Sequence, residues 1–201
     1  MSRYPTPEKL RDILRYDPTT GMLTWRKRSP ALFKKTKHKT ADHLAAAWNA
    51  RFANRPALRS ICGSGYLTGG VFGQILPAHR VCWAIYHGRH PVGQIDHINH
   101  NRTDNRIENL RDVSHAENAR NQVLSSNNKS GITGVYADRR TGMWNVQIRH
   151  EGKVYRLGVF PTVQEAADAR QEANRRFGYH ENHGKSPEAL KLIAEVKARV
   201  A

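Results

Sequence analysis

Four polar residues between positions 95 and 118 have the types and spacing of a hydrolytic metal site. Asp96 and His97 are adjacent, Asn109 follows His97 by twelve residues, and Asn118 comes nine residues later. Carboxylate and amide oxygens can hold one divalent cation, and an imidazole beside them can take a proton from water. The set therefore predicts metal-assisted hydrolysis, and a phosphodiester is the substrate that suits it.

The surrounding sequence predicts the elements that must position this chemistry: a strand, a long loop, a short strand and a helix. The first strand ends at the acid–imidazole pair, and the second begins at Asn109. The helix begins near Ser114, which is a suitable N-cap, and Glu117 three residues later completes a capping box. We expect this ββα unit to bring Asn118 back across the hairpin toward Asp96.

The chain is strongly basic, with 33 Lys and Arg against 17 Asp and Glu, a formal charge of +16 and a pI near 10.4. Residues 1–60 carry a net +10, residues 61–124 a net +1 and residues 125–201 a net +5. This excess favours a polyanionic partner, with a merely soluble basic surface as the alternative. We expect double-stranded DNA, with phosphate contacts from the loop residues Lys34, Lys35 and Lys37.

Other polar residues near the predicted site have simpler interpretations. His115 is the alternative choice for the third motif residue, and His100 is expected in a loop near DNA. Asparagines in the loop are expected to hydrogen-bond their own backbone; they are Asn99, Asn101 and Asn105. Three arginines are candidates for phosphate contacts, although Arg111 could instead brace the hairpin; the others are Arg102 and Arg106. The plain alternative for the whole motif is a polar turn with His97 on the surface.

Cysteine content and hydropathy indicate the compartment. Cys62 and Cys82 are too few for a four-thiolate zinc site and imply no disulfide framework. Cys82 lies in the apolar run VCWAIY, and we expect it in a core. The first ten residues contain no apolar signal segment, and no apolar run approaches membrane-spanning length. These features predict an intracellular, cytoplasmic protein.

Before the central segment, the pattern predicts a helix capped by Thr6 that starts at Pro7, with Leu10, Ile13 and Leu14 on one face. A turn at 17–21 leads to a strand at 22–25. Residues 41–52 are expected to be helical, with an apolar side formed by Leu44, Ala47 and Trp48. A hairpin over 65–76 and a helix over 78–87 ended by Gly88 precede the Asp-His strand. The placement of residues 30–60 is otherwise open.

After the polar linker 123–131, the sequence predicts three strands and a helix. The strands are expected at 133–138, 143–149 and 153–159, and Thr162 with Glu165 caps the helix. Alternate residues of the second strand lie on one face of the sheet and are expected to pack on the helix alanines; they are Trp144, Val146 and Ile148. The other face and its turns are expected to contact DNA through Arg139, Arg140, Asn145, Gln147, Arg149 and Arg156. Ser186 and Pro187 are expected to start a last amphipathic helix with Leu190, Ile193, Val196 and Val200.

The segment from about residue 60 to 122, with its D-H, N-L and E-N pairs in order, resembles the HNH endonuclease family of phage and intron type. The resemblance implies that His97 is the general base, that Asp96 and Asn118 bind the metal, and that Asn109 orients His97 through a backbone contact. It also implies 5′-phosphate and 3′-hydroxyl ends. Because Asn118 stands where the namesake pattern has histidine, oxygen ligands favour Mg²⁺ or Mn²⁺ over Zn²⁺.

Residues 130–183 resemble the AP2 DNA-binding domain. The matching residues are Gly134-Val135 and Gly142-Met-Trp144, then Ile148-Arg149, Leu157-Gly-Val-Phe160 and the helical EAADA. Plant members carry more arginines on the first strand, where this chain has Tyr136 and Asp138, so base preference does not carry over.

These interpretations give an α+β fold with a ββα-metal nuclease core and a three-stranded antiparallel sheet packed on one helix. The expected parts are a basic region (1–60), a nuclease domain (61–122), a linker (123–131), an AP2-like domain (132–183) and a terminal helix (184–201). Together they predict a monomeric DNA endonuclease, nicking or homing-type, of phage or prophage origin. The alternative is a DNA-binding regulator that keeps the fold without activity, and RNA binding or cleavage is a third, less favoured reading.

Overall fold

A computed structural model describes residues 4–120, 124–125, 127–186, 189–193 and 195. The chain divides into two compact units. One unit runs to His97 and includes Asn101–Asp112, and the other comprises Ile98–His100 and the chain from Val113 onward. Helices and small antiparallel sheets are mixed along the chain, as the α+β prediction requires. Within the described ranges, no helix combines the length and the apolar character needed to span a membrane.

The first unit opens with a helix and a hairpin. Helix α1 (Pro7–Ile13) is capped by Thr6, whose hydroxyl accepts from the Lys9 amide at 3.5 Å. Strands β1 (Leu14–Asp17) and β2 (Met22–Trp25) pair antiparallel. Leu14 was expected on the helix face, but α1 ends one residue earlier and Leu14 begins β1, where it is still buried. The hydrophobic pattern is satisfied by either backbone conformation, so it did not locate this boundary.

Residues 26–58 follow this hairpin and contain two helical segments. A short 3-10 turn (Pro30–Leu32) precedes helix α2 (Ala41–Phe52), which is capped by Thr40. The prediction of α2 is confirmed, but its apolar side is wrong at Ala47, which is exposed while Ala45 is buried. The reason is the aromatic cluster beneath the helix.

That cluster surrounds one arginine. The ring of Trp48 meets the ring of Trp25 edge-on at 5.5 Å between centroids, and the Arg28 guanidinium lies 3.8 Å above Trp48. The Asn49 amide bonds both the backbone N–H and the carbonyl of Arg28, at 2.8 and 3.0 Å. These contacts select the face of α2 that turns inward.

Next come a three-stranded antiparallel sheet and the central helix. The sheet has the order β3 (Ser60–Ile61), β4 (Leu67–Val71) and β5 (Gln74–Pro77), which contains the predicted hairpin. Helix α3 (Ala78–His87) follows and ends at Gly88 with φ +67°, as the glycine predicted. Its side chains Val81 and Cys82 lie in the main core, which confirms the expectation for Cys82.

The strands that carry the candidate chemistry form a separate pair. Strand β6 (Gln94–His97) and strand β7 (Leu110–Val113) are neighbours in a two-stranded sheet. A 3-10 turn (Ile107–Asn109) leads into β7, so Asn109 ends the turn and Leu110 begins the strand. Ile95 and Leu110 belong to the same core as α1 and α3, which fixes this pair against the body of the unit.

The second unit contains helix α4 (His115–Ala119) and a sheet packed on a helix. Strands β8 (Val135–Ala137), β9 (Trp144–His150) and β10 (Lys153–Phe160) form an antiparallel sheet in the order β10-β9-β8, and α5 (Val163–Arg176) covers one face. Val146 and Ile148 are buried, which confirms the predicted alternation.

Part of the last predicted helix is described. Residues 189–193 are helical and Leu190 is buried. Pro187, Val196 and Val200, together with residues 121–123 and 126, lie outside the described residues.

Candidate active site

Strand β6 buries both residues of the Asp-His pair. Asp96 is 6% exposed and His97 is 4% exposed. The Asp96 carboxylate accepts from Arg111 on the neighbouring strand β7, at 2.7 Å from Nε and 2.6 Å from Nη2. A buried carboxylate without a cation would be strongly destabilising, so this ion pair is what allows the acid to sit in the core. Of the two uses predicted for Arg111, the structure has the bracing one.

The His97 ring is held by an amide and lies among aromatic rings. Its Nε2 lies 3.2 Å from the Asn105 Oδ1. An amide oxygen can only accept, so Nε2 carries the hydrogen and Nδ1 keeps its lone pair. Burial lowers the pKa of His97, and the hydrogen bond with Asn105 opposes that change. The ring is therefore a neutral imidazole with Nδ1 as the atom able to take a proton.

Asn105 is itself fixed by the first hairpin. The Tyr16 hydroxyl donates to the Asn105 carbonyl at 2.7 Å. Gly21, at the turn between β1 and β2, has φ +73°, and a Cβ there would lie 2.6 Å from the backbone of Asn105 and of Arg106. A side chain at position 21 would therefore displace the loop. Asn105 is 2% exposed, so its amide has little freedom to leave His97.

Asn105 is a site residue that the sequence reasoning missed, because it was expected to bond only its own backbone. Asn109 was expected to orient His97 through a backbone contact, and its amide donates to the Asp104 backbone carbonyl at 2.8 Å, inside the loop. The amide that contacts the imidazole is that of Asn105. Four asparagines in one loop were the available signal, and nothing in their spacing distinguishes which one reaches the ring.

Helix α4 has the cap that its sequence predicted. The Ser114 hydroxyl accepts from the Glu117 amide at 3.2 Å, and the Glu117 carboxylate accepts from the Ser114 amide at 2.8 Å. Asn118 lies on this helix, half-buried, in the second unit. His115, the alternative third motif residue, is exposed at the start of the helix.

Comparison with known families bears on this segment. Residues 76–120 match the HNH endonuclease family model. This match supports a nuclease that acts on DNA. No curated protein and no solved structure gave a match to the chain.

The HNH segment, residues 76–120, brings a second histidine to the first. His79 on α3 is 8% exposed, and its ring centroid lies 5.3 Å from that of His97. Burial, followed by the repulsion that a second proton on the neighbouring His97 would bring, lowers the pKa of His79 to about 3. His79 is thus a neutral ring that packs against the candidate base. A histidine just before the apolar run VCWAIY was the sequence signal for this position.

Tyr66 completes the surroundings of His97 from outside the HNH segment. Its ring centroid lies 5.6 Å from His97 and 4.8 Å from His79. The Arg102 guanidinium lies 5.1 Å over the Tyr66 ring and donates to the Ser64 carbonyl at 2.7 Å. Arg102, predicted as a phosphate contact, therefore also holds the aromatic wall of the site.

Arg106 has carboxylate partners. Its guanidinium makes ion pairs of 2.7 Å with Asp104 and with Glu108. A guanidinium paired with two carboxylates adds no net charge toward a phosphate. These ion pairs disfavour the phosphate contact predicted for Arg106.

His100 belongs to the second unit. It has φ +61°, and its Nε2 lies 2.9 Å from the Asn182 carbonyl. The Asn182 amide donates to the Ile98 carbonyl at 2.9 Å. Asn182 thus holds both ends of the tripeptide that follows His97 in the chain.

The remaining predicted DNA contacts lie at the surface. Lys34, Lys35 and Lys37 are exposed in the loop before α2. In the second unit, Arg139, Arg140, Arg149 and Arg156 are exposed, and Asn145 and Gln147 are half-buried.

The donor set suits a hard cation. Among the residues that the structure describes, no group of three His, Cys, Asp or Glu side chains could hold a metal ion. The predicted ligands are instead one carboxylate, Asp96, and one amide, Asn118. These are oxygen donors of the kind that Mg²⁺ uses together with water and substrate phosphate. Oxygen donors are typical of magnesium sites, whereas nitrogen and sulfur donors are typical of zinc sites.

Proposed function

We propose that this chain is a metal-dependent DNA endonuclease that hydrolyses phosphodiester bonds to 5′-phosphate and 3′-hydroxyl ends. The observation that carries the proposal is the buried Asp96–His97 pair, with the His97 ring tied to Asn105, inside a segment that matches HNH endonucleases. We also propose that it acts as a monomer inside a bacterial cell, as a site-preferring, homing-type enzyme of phage origin.

The chain's own residues divide the work as follows. His97 Nδ1 takes the proton of the attacking water, and Asn105 keeps the ring in the tautomer that leaves Nδ1 free of hydrogen. Asn109 holds the loop between the strands through Asp104. Asp96 and Asn118 would bind Mg²⁺ or Mn²⁺, which would stabilise the charge on the phosphate and on the departing 3′ oxygen.

We propose that the second unit positions the DNA. The sheet β8–β10 with α5 has the three strands and one helix that the sequence predicted, and four of its arginines are exposed. Arg139, Arg140, Arg149 and Arg156, with Asn145 and Gln147, are the proposed contacts. Lys34, Lys35 and Lys37 add phosphate contacts from the first unit. Domain limits at 61–122 and 132–183 remain part of this proposal.

One observation favours a second candidate, a DNA-binding regulator without nuclease activity. The Asp96 carboxylate is already paired with Arg111, so its charge is balanced within the protein. A protein that had this fold but bound no metal ion could contain the same ion pair between Asp96 and Arg111.

Plasmid nicking distinguishes the two candidates. Supercoiled DNA is incubated with the full chain in Mg²⁺, in Mn²⁺ and in EDTA, and the ends are sequenced. We expect nicking in either metal and none in EDTA, and His97→Ala should lower the rate by about 10²–10⁴-fold because the general base is lost. DNA affinity should stay within twofold.

The matched control is His43→Ala, an exposed histidine on α2. It should nick like the wild type. Metal-dependent nicking by His97→Ala at the wild-type rate would remove the base assignment. The absence of nicking by the wild type in both metals, with DNA binding intact, would establish the regulator instead.

A further inference from the structure

The second unit contains a cavity of about 460 Å³ beside strand β9. Its lining is dominated by basic and hydroxyl side chains, among them Thr133, Arg149, His150, Arg170, Tyr179 and His183. The cavity lies where β8 is too short to cover β9. In place of β8, the Arg170 guanidinium and the Tyr179 hydroxyl donate to the backbone carbonyls of Gln147 and Arg149.

Arg170 is a buried cation with neutral partners. It is 4% exposed, and besides Gln147 it contacts the Asn174 amide oxygen at 3.0 Å and the His183 Nε2 at 3.5 Å. Burial, followed by the charge of Arg170, lowers the pKa of His183 to about 4, so that ring is neutral too. In the described part of the chain, no carboxylate pairs with Arg170. Buried charges are normally paired, so this guanidinium favours an anion in the adjoining space.

The rest of the lining offers further polar groups. Two buried polar atoms, Thr133 Oγ1 and His150 Nδ1, have no hydrogen-bond partner among the described residues, whereas the His183 ring also hydrogen-bonds the backbone of Arg120. Arg120 and Arg149 also line the cavity and make no ion pair within the described ranges.

The one acidic side chain of the lining is Glu151. It is 78% exposed and lies 3.7 Å from the His150 Nε2. Three arginines against one exposed carboxylate leave the cavity positive. Several donors converging around a buried guanidinium suit an oxyanion with several acceptor oxygens.

We propose that this cavity binds a phosphate group. The proposal rests on the proposed function for one source of that group, the backbone of bound DNA, and the other source is a free phosphate or nucleotide. It adds to the sheet-face contacts a buried anion site, which would hold one phosphate rather than read a base. Gly134 contributes to the cavity wall, because its φ of +78° and missing side chain allow Arg170 to reach the Gln147 carbonyl.

The test compares two double variants of the full chain. Arg120→Ala/Arg149→Ala removes two guanidinium groups from the cavity. Arg175→Ala/Arg176→Ala removes two exposed guanidinium groups from the end of α5 as the matched control. Arg170 is left in place because its loss would unpair the Gln147 carbonyl and disturb the fold.

The first arm uses inorganic phosphate alone. The melting temperature is measured with sodium phosphate and with sodium chloride at equal ionic strength. At ten times its Kd, phosphate should raise the melting temperature of the wild type and of the control by about 3 °C, and of the cavity variant by less than 1 °C. This arm needs neither DNA nor cleavage, so it can succeed even if the nuclease proposal fails.

The second arm measures duplex DNA affinity as a function of salt. Loss of one phosphate contact should reduce the slope of log Kd against log [NaCl] by about 0.9 and weaken binding by about tenfold at 100 mM salt. The control should keep the wild-type slope.

A loss in both arms assigns the site to the DNA backbone. A loss in the second arm alone is what a sheet-face contact of Arg149 would give, and it would overturn the cavity site. A loss in the first arm alone assigns it to free phosphate. If the cavity variant and the control behave alike in both arms, the site does not exist.

Discussion

The two units bury charge in opposite ways. In the first, Asp96 is buried with a partner of opposite charge, since Arg111 contacts its Oδ2 twice. In the second, Arg170 is buried among a carbonyl, an amide and a neutral imidazole. The first arrangement is complete without a ligand, whereas the second gains from any anion that enters the cavity. The two sites therefore differ in what a ligand would do. A metal cation at Asp96 would replace part of the contact with Arg111, whereas an anion beside Arg170 would add a partner where the protein provides no opposite charge.

In both polar clusters, the one around His97 and the one around Arg170, a glycine allows two segments of the chain to come close together. Gly21 lets the first hairpin reach Asn105, and Gly134 lets β8 and Arg170 meet at Gln147. Both glycines have positive φ, a region that side chains rarely adopt, and at both a Cβ would overlap backbone atoms. Each polar cluster is thus built where a glycine removes a steric obstacle.

The largest effect should come from removing the partner of the buried acid. Arg111→Ala removes the guanidinium from the buried Asp96 carboxylate, and should cost about 3 kcal/mol of the free energy of unfolding. If Asp96 binds Mg²⁺, millimolar Mg²⁺ should restore part of this loss, and it should not do so in Arg111→Ala/Asp96→Asn. Urea denaturation with and without Mg²⁺ measures both.

The control for that experiment is Arg89→Ala, whose ion pair with Asp112 is long, 4.0 Å, and whose side chain is 60% exposed. It should cost less than about 0.5 kcal/mol. A Mg²⁺ response in the double variant equal to that in Arg111→Ala would rule out Asp96 as the ligand.

The next largest effect should come from Asn105. Asn105→Ala removes the acceptor that fixes the His97 tautomer, and should lower the nicking rate by about 10–100-fold, as loss of a supporting hydrogen bond does in metal enzymes. DNA affinity should not change. ¹⁵N chemical shifts of the His97 ring should move from the Nε2–H tautomer toward a mixture.

Asn101→Ala provides the comparison, because the Asn101 side chain accepts locally from Thr103. Equal nicking rates for the Asn105 and Asn101 variants, both folded, would contradict the positioning role.

Acid should destabilise the first unit through His79. Its folded-state pKa, about 3, lies below the ordinary value of 6.5, so the unfolded chain binds a proton that the folded chain excludes. Stability is therefore complete above about pH 6.5 and falls as the pH drops toward 3, by roughly 2 kcal/mol between pH 7 and pH 5. Denaturation at the two pH values measures this loss, and His79→Phe should reduce it. The same pH dependence in His79→Phe as in the wild type would show that other groups are responsible.

The smallest effect should come from a single exposed arginine of the sheet. Arg156→Ala should weaken DNA binding a few-fold and reduce the salt slope by about 1, with no change in melting temperature. A fluorescence anisotropy titration at three salt concentrations measures both. If the slope stays at the wild-type value, Arg156 does not contact a phosphate. The cavity would then be favoured over the sheet face as the place where the second unit binds the DNA backbone.

Local signals in the sequence predicted the elements well where capping and turn chemistry decide them. The capping box of Ser114 and Glu117, the Thr162 cap of α5, and Gly88 at the end of α3 all lie where expected. Each depends on residues within a few positions of one another, so the sequence alone contains the whole interaction. The boundary at Leu14 was missed because a buried leucine suits a helix and a strand equally.

The contacts that define the candidate site could not be predicted from local sequence signals. The bond from Tyr16 to Asn105 joins residues 89 positions apart, and it holds the loop residue whose side chain contacts His97. The pair of Asp96 and Arg111 depends on which strand becomes the neighbour of β6. Spacing along the chain contains neither fact.

By itself, then, the sequence determined which residues could do chemistry, the net positive charge and most of the helices and strands, because these follow from residue type and short-range interactions. Only the tertiary structure decided which groups are buried together: the acid with its arginine, the imidazole with its amide, and a guanidinium with neutral partners beside a cavity. The physical reason is that the energy of a buried charge depends on what surrounds it in space, and those surroundings come from distant parts of the chain.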